Sequence, residues 1–200
     1  MGPPSEQPPR QAWGYLSEQP SEKGASHPSG RTPVEGWEEN VVGDLAGEHT
    51  GAQDAPSETY GEADFDWSLR TLAGEDLTLE EMRGRVLFIN MWATWCRPCV
   101  LELGGIQALS ESLEGSGVTF LLVSPEDPEH VARFLEIHDL DVPAYVEAQE
   151  MPPAFGLRAL PTTYVVDREG RIVLRHRGAA EWNREEVRDF LLALSAPGPP

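Results

Sequence analysis

Apolar and polar positions divide the 200-residue chain into two unlike parts. Residues 1–63 show no apolar periodicity and are rich in Pro, Gly, Ser and Glu. Such a segment buries too little apolar surface to offset the entropy lost on ordering it. We therefore predict a disordered acidic tail over residues 1–63, a globular domain over residues 64–195 and a flexible C-terminus over residues 196–200.

Alternating and continuous apolar runs predict the strands of the globular part. Residues 64–69 alternate polar and apolar positions, as a half-buried strand does, and a turn over residues 73–76 predicts a hairpin. Residues 85–93 and 118–124 are almost continuously apolar, which is typical of strands covered on both faces. Residues 85–93 form the predicted central strand and lead directly to a helix that begins near Cys96.

Helix start signals lie between these strands. Residues 78–81 match a capping box that opens a short helix, and residues 127–128 offer an Asp N-cap followed by a first-position proline. A short helix is predicted over residues 151–157, and a last amphipathic helix begins with a capping box at Asn183. With a hairpin over residues 160–174, this pattern predicts an α/β layer fold with a mixed sheet.

Charge and apolar run length argue against two classes of partner. The formal net charge is −19, and the acid is spread over tail and domain alike, which argues against nucleic acid. No run of about 18 apolar residues exists, so no membrane span is expected. No secretory signal is visible, so as written the protein is expected in the cytoplasm, or in the cell envelope or periplasm if a leader or anchor has been lost. We expect a monomer.

The chain holds two cysteines, Cys96 and Cys99, at the start of the helix that follows the central strand. Side chains three apart on a helix lie about 5–6 Å apart at Cβ, and a disulfide needs about 3.5–4.5 Å, so a small adjustment closes the pair. The helix N-terminus and the neighbouring Arg97 favour a thiolate on the first cysteine, and Pro98 suits a first turn. We predict that Cys96 is the nucleophile and that Cys99 resolves the mixed disulfide.

Two structural interpretations of the cysteine pair are weaker. A structural zinc site usually needs four ligands, and the five histidines form no pair at a ligand spacing. A structural disulfide that spans so few residues would restrict the unfolded chain only a little. The pattern therefore favours a redox role for the pair.

Three segments of the chain resemble the thioredoxin superfamily, and within it the TlpA/ResA-like thiol-disulfide oxidoreductases. They are residues 86–99, which end in Trp95-Cys96-Arg97-Pro98-Cys99, the loop over residues 160–163 and the hairpin over residues 164–172. The resemblance extends from residue 64 to about residue 195. It implies a thioredoxin-like three-layer α/β fold, with a mixed central sheet flanked by helices and an N-terminal β-hairpin extension.

The resemblance also implies roles for individual residues. Pro161 is expected to form a cis bond facing the sulfurs, and the backbone of Leu160 is expected to pair with the bound substrate. Glu102, three residues after the second cysteine, is expected to move protons during resolution. The expected substrate-binding surface comprises Trp95, Arg97, Pro98, Leu160, Pro161 and Thr162.

Two further positions bear on the active-site helix. Asn90 stands where thioredoxin itself has a buried acid, and TlpA/ResA-like proteins commonly have Asn there. Gly104 and Gly105 stand where the family usually has a proline that kinks the helix. Because an interior helical glycine costs about 1 kcal/mol relative to alanine, a break or bend is expected at this point.

The function that the resemblance implies is disulfide exchange with protein substrates through Cys96 and Cys99, as a reductant rather than an oxidant. No cofactor is expected, and the redox partner would be a reductase or a thioredoxin-like donor. If the protein is exported, the family implies roles such as keeping apocytochrome c reduced. One alternative is a copper-binding thioredoxin-fold module that uses the two thiolates. Another is a binding scaffold whose tail recruits a partner.

Overall fold

The computed structural model describes residues 60–156 and 159–196. Most of the predicted tail and residues 197–200 lie outside this described part. The strands are β1 (Ser68–Thr71), β2 (Asp76–Thr78), β3 (Val86–Met91), β4 (Val118–Ser124), β5 (Ala144–Glu147), β6 (Thr162–Val166) and β7 (Ile172–Arg177). The helices are α1 (Arg97–Ser112), α2 (Pro128–Ile137) and α3 (Glu185–Ser195), and Leu79–Met82 forms a 3-10 helix.

The seven strands of the described residues form one mixed sheet in the order β2-β1-β5-β4-β3-β6-β7. β3 runs parallel to β4 and antiparallel to β6. Every residue of β3 is buried, as the continuous apolar run predicts. The prediction of an α/β fold with a mixed sheet and an N-terminal hairpin is confirmed. None of the described helices is long and apolar enough to cross a membrane.

Neighbouring residues of β3 contribute to two apolar clusters, because successive side chains of a strand point to opposite faces of the sheet. Phe88 belongs to the cluster that contains the buried residues of α1, α2 and α3. Ile89 belongs to the other cluster, with Trp67, Leu79 and Phe155. One face of the sheet is therefore covered by the three α-helices, and the other by the 3-10 helix and irregular segments.

The N-terminal hairpin is shorter than the sequence alternation predicts. β1 begins at Ser68, and residues 65–66 form a turn. Phe65 and Trp67 are nevertheless buried. The alternation therefore gives the inward-facing side chains correctly but overestimates the hydrogen-bonded ladder, which depends on a partner strand rather than on pattern alone.

Residues 60–63 contact the sheet, although the sequence pattern groups them with the tail. The Tyr60 N–H donates to the Ile172 carbonyl at 2.8 Å, and the Ala63 N–H donates to the Gly170 carbonyl at 2.8 Å. This segment therefore belongs to the folded part of the chain.

Two helix predictions are wrong in the described residues. Residues 151–156 form a turn rather than a helix, because Met151 and Pro152 each precede a proline, which disfavours the helical conformation at both positions. Asn183 does not cap α3, whose N-cap is Arg184. Asn183 instead packs against α1, with its Oδ1 3.7 Å from the position of a Cβ added to Gly105.

The active-site helix α1 runs without interruption from Arg97 to Ser112. The expected break at Gly104 and Gly105 does not occur. Gly105 lies beside the Asn183 side chain of the neighbouring segment, at distances that a Cβ would meet as ordinary van der Waals contact. The helix keeps its inward stripe intact, with Leu103, Ile106 and Leu109 buried.

Candidate active site

The two cysteines lie at the N-terminus of α1, directly after the central strand. Cys96 is the N-cap of the helix, and its carbonyl accepts the Val100 N–H at 3.1 Å. Pro98 occupies the first turn, where the N–H that it lacks has no intrahelical partner. Cys96 and Cys99 form a disulfide with their Cα atoms 5.3 Å apart. The pair that the sequence singles out is therefore joined.

The two sulfurs differ in accessibility. Cys96 is 6% exposed, whereas Cys99 is 0% exposed. The neighbouring Trp95 has 70% of its surface exposed, and Arg97 and Pro98 are exposed as well. A thiol or disulfide that approaches from solvent therefore meets Cys96 first, on a surface formed by three of the predicted substrate-binding residues.

The loop before β6 lies at the same end of the sheet as the cysteines. The antiparallel register pairs Met91 with Thr162, so Pro161 directly precedes the last pair of the ladder, at the end of β3 that leads to the cysteines. The Leu160–Pro161 peptide bond is cis. The Thr162 hydroxyl is buried and donates to the Ala159 carbonyl at 2.7 Å, so this side chain is engaged within the loop. Leu160 is half-buried.

Glu102 is a buried carboxyl group, with only 4% of its surface exposed. Its Oε1 accepts a hydrogen bond from Asn90 Nδ2 at 2.9 Å. Its Oε2 accepts from Trp182 Nε1 at 2.9 Å and from the Ala180 N–H at 3.0 Å. Glu102 is therefore not a solvated helix residue but the centre of a hydrogen-bond network that joins α1, β3 and the loop before α3.

Burial and hydrogen bonding act on Glu102 in opposite directions. Burial disfavours the charged carboxylate and raises the pKa of Glu102 to about 7. The hydrogen bonds from Asn90, Trp182 and Ala180 favour the charged form and lower the pKa, but by less. The carboxyl group is therefore able to take up and return a proton near neutral pH.

Asn90 links this carboxyl group to the neighbouring strand. Its Nδ2 also donates to Thr163 Oγ1 at 2.9 Å, while its buried Oδ1 has no hydrogen-bond partner among the described residues. Register then places His176 of β7 opposite Thr163, and the His176 ring lies edge-on to Trp182 at 5.5 Å. A row of polar side chains thus crosses three strands beneath α1.

Sequence reasoning finds Glu102 and Asn90 but misses their partners. Trp182 and Ala180 lie about eighty residues further along the chain, in a loop without a motif. Thr163 reads as an ordinary strand residue. A polar residue inside a continuous apolar strand, as at Asn90, is the one sequence signal that indicates such a network, since buried polar groups need partners.

The described part of the chain gives the copper alternative no additional cluster of ligands. Among residues 60–156 and 159–196, no group of three or more His, Cys, Asp or Glu side chains is placed to hold a metal ion. Cys96 and Cys99 are joined in a disulfide, which offers no thiolate. The copper-binding alternative stays a prediction that rests on the two cysteines alone.

Comparison with solved structures confirms the thioredoxin-like fold. A thiol:disulfide interchange protein of the thioredoxin family from Chlorobium tepidum superposes with a TM-score of 0.57 and 20% sequence identity. The match covers 68% of this chain and 99% of that chain.

Comparison of sequences defines the family. The AhpC/TSA family model matches residues 61–175, and the chain belongs to this family. The thiol-disulfide oxidoreductase ResA of Halalkalibacterium halodurans is 33% identical over 133 residues, which are 66% of this chain and 74% of the relative. The thioredoxin-like protein YneN of Bacillus subtilis is 31% identical over 117 residues, 56% of this chain and 68% of the relative.

The fold, the relatives and the cysteine pair indicate the same class of protein. Cys96 and Cys99 are linked at the N-terminus of a helix, three residues apart, on a thioredoxin-like fold. The protein is a thiol-disulfide oxidoreductase, and the predicted resemblance to ResA-like proteins is confirmed.

Proposed function

We propose that this protein reduces disulfide bonds in protein substrates, with Cys96 as the attacking thiol and Cys99 as the resolving thiol. The observation that carries the proposal is the difference in exposure between the two linked sulfurs, 6% for Cys96 and 0% for Cys99. A buried thiol does not reach a protein disulfide from solvent, but it does reach its own neighbour one turn away.

The reaction begins with the reduced protein. The Cys96 thiolate attacks one sulfur of the substrate disulfide, and the other substrate sulfur leaves as a thiolate that takes up a proton. Cys99 then loses its proton and attacks the Cys96 sulfur. The second substrate sulfur leaves as a thiol, and the Cys96–Cys99 disulfide forms. Two electrons have passed to the substrate, and a dithiol donor restores the protein.

The position and burial of Glu102 support a role in the resolving step. It follows Cys99 by three residues on α1, so their Cβ atoms lie about 5–6 Å apart. With its pKa raised to about 7 by burial, its carboxylate is a matched acceptor for the Cys99 proton. The hydrogen bonds from Asn90 and Trp182 hold the carboxyl group in a fixed orientation.

The charges near the disulfide support reduction rather than oxidation. Glu102 lies one turn beyond Cys99, and Glu126 binds the loop that precedes Cys96. Negative charge destabilises a thiolate relative to the disulfide, which makes the dithiol a stronger electron donor. The exposed Arg97 acts in the opposite sense, but from solvent, where salt screens its charge.

Two further parts of the proposal concern partners. The net charge of −19 favours partners whose surfaces are basic around the reacting cysteines. The donor that restores the dithiol would be a reductase or another thioredoxin-like protein, and the protein would act as a monomer. Sedimentation of the oxidised and reduced protein tests the last point.

Direction and activity are tested by two measurements. The purified protein, recycled by dithiothreitol, should accelerate the reduction of insulin, and Cys96→Ser should abolish that acceleration. A redox titration of the Cys96–Cys99 pair should give a midpoint nearer the value of about −270 mV for thioredoxin than the value of about −120 mV for a strong oxidant. A midpoint near the second value would contradict the proposed direction.

A further inference from the structure

A second carboxyl group, that of Glu126, accepts a hydrogen bond from the backbone of the turn that leads to the cysteines, residues 93–96. Its Oε2 accepts the Thr94 N–H at 2.6 Å, and its Oε1 accepts the Thr94 hydroxyl at 2.7 Å. The Ser124 hydroxyl also donates to Oε2, at 3.1 Å. The Glu126 side chain is only 14% exposed. Thr94 lies two residues before Cys96, so this carboxylate holds the turn from the end of the neighbouring parallel strand β4.

His130, in the first turn of α2, also contacts the Thr94 side chain. Its Nε2 lies 3.1 Å from Thr94 Oγ1 and 3.7 Å from Glu126 Oε1. Because Thr94 gives its single hydroxyl proton to Glu126, it accepts a hydrogen bond from the His130 Nε2–H. That donor is present in the charged ring and in one neutral tautomer. The contact therefore does not require that His130 be charged.

The hydrogen bonds between Glu126 and Thr94 affect the orientation of Trp95 more than that of Cys96. Cys96 is also held by the helix, because its carbonyl accepts the Val100 N–H at 3.1 Å. Trp95 is 70% exposed, so the direction of its indole depends chiefly on the backbone of the turn. Thr94 connects that backbone to His130 of α2 and to Glu126 of the loop before α2.

We infer that Glu126 is a positioning residue: by holding Thr94, it fixes the turn over residues 93–96 so that Trp95 is presented to a protein substrate. The inference rests on the proposed function. A protein that forms a mixed disulfide with Cys96 must cover the adjacent indole, whereas a small disulfide need not. Glu126 therefore acts on the docking of protein substrates, in addition to the effect of its charge on the thiol, which both kinds of substrate experience alike.

The test compares two substrates, insulin and 2-hydroxyethyl disulfide, with the full-length protein. In Glu126→Ala, the ratio of kcat/KM for insulin to kcat/KM for the small disulfide should fall about tenfold, chiefly through KM for insulin, as loss of a docking contact does. Glu126→Gln should restore the ratio to within about twofold, since its amide oxygen accepts the Thr94 N–H and its amide nitrogen donates to the Thr94 hydroxyl. Glu136→Ala, an exposed carboxylate on α2, is the matched control.

A double-mutant cycle separates positioning from general loosening. In the Trp95→Ala background, Glu126→Ala should produce no further fall in the ratio, because the indole that it positions is gone. If Glu126→Ala does not fold, Thr94→Val serves instead, since it keeps the backbone N–H and removes the hydroxyl contacts. Its ratio should fall in the same direction, and Thr94→Ser should restore it.

Three results would overturn the inference. They are an equal loss with both substrates, no loss with either substrate, and independent, additive losses from Glu126→Ala and Trp95→Ala. A wild-type protein that reduces neither substrate would instead contradict the proposed function. The two failures are therefore distinguishable.

Discussion

Trp182 Nε1 donates a hydrogen bond of 2.9 Å to Glu102 Oε2, across a sequence separation of 80 residues. The bond joins the loop before α3 to the active-site helix. It gives a partner to a carboxyl group that would otherwise be buried at a large cost in free energy. The remaining imbalance, in which burial outweighs hydrogen bonding, raises the pKa of Glu102 to about 7.

The raised pKa predicts that Glu102 makes the oxidised protein less stable at higher pH. The ordinary pKa is 4.5, so between that value and about 7 the folded state binds more protons than the unfolded state. The stabilising contribution is therefore complete below pH 4.5 and lost as the pH rises through 7. The shift corresponds to about 3 kcal/mol of unfolding free energy.

Urea unfolding near pH 5 and near pH 8 measures this contribution. The difference in unfolding free energy between wild type and Glu102→Gln should change by up to about 3 kcal/mol between the two conditions. Wild type should be less stable relative to the variant at the higher pH. Glu114→Gln, an exposed carboxylate beyond the end of α1, controls for the general effect of removing a charge. The same difference at both pH values would show that Glu102 keeps an ordinary pKa.

Glu102→Gln should also slow the reduction of protein disulfides. The amide accepts no proton from Cys99, so resolution should lose general-base assistance worth about 10²-fold or more. Stopped-flow release of the second substrate thiol measures this step. The pH profile of wild type should show an inflection near 7, and that of the variant should lack it. Superimposable profiles would remove Glu102 from the mechanism and leave it a structural role.

Residues 60–63 should contribute to stability although the sequence pattern groups them with the tail. Their backbone hydrogen bonds to Gly170 and Ile172, together with the Arg175 guanidinium 5.1 Å from the Tyr60 ring, are worth a few kcal/mol at about 1 kcal/mol each. Removal of residues 1–63 should therefore lower Tm by at least about 4 °C relative to removal of residues 1–58. Equal melting temperatures for the two truncated proteins would show that the segment adds nothing.

Local patterns predict those parts of the fold in which neighbouring residues set the structure. The continuous apolar run of β3 and the Cys96–Cys99 spacing after it gave the central strand and the dithiol helix. The alternation at Phe65 and Trp67 gave the buried face, but a strand also needs a partner, and residues 65–66 form a turn. At residues 151–156, two successive prolines disfavour the helical conformation of the residue before each of them, and this overrides the predicted helix.

The sequence alone does not predict the contacts between segments that are distant along the chain. The position of Glu102 on α1 suggests a role in proton transfer, but its burial depends on Trp182 and Ala180, which no motif marks. Glu126 reads locally as an acidic residue just before a helix, which is common at that position. Only the fold brings its carboxylate to Thr94, because β3 and β4 are adjacent and parallel.

The most direct measurement of the central claim is the trapping of mixed disulfides with a protein substrate. Cys99→Ser, reduced and mixed with oxidised insulin, should accumulate a covalent adduct through Cys96, visible by intact mass under non-reducing conditions, because the attacking thiol remains and the resolving thiol is gone. Cys96→Ser should accumulate none, since Cys99 is 0% exposed. Adducts of equal yield from both variants, or an adduct from Cys96→Ser alone, would contradict the assignment of the two cysteines.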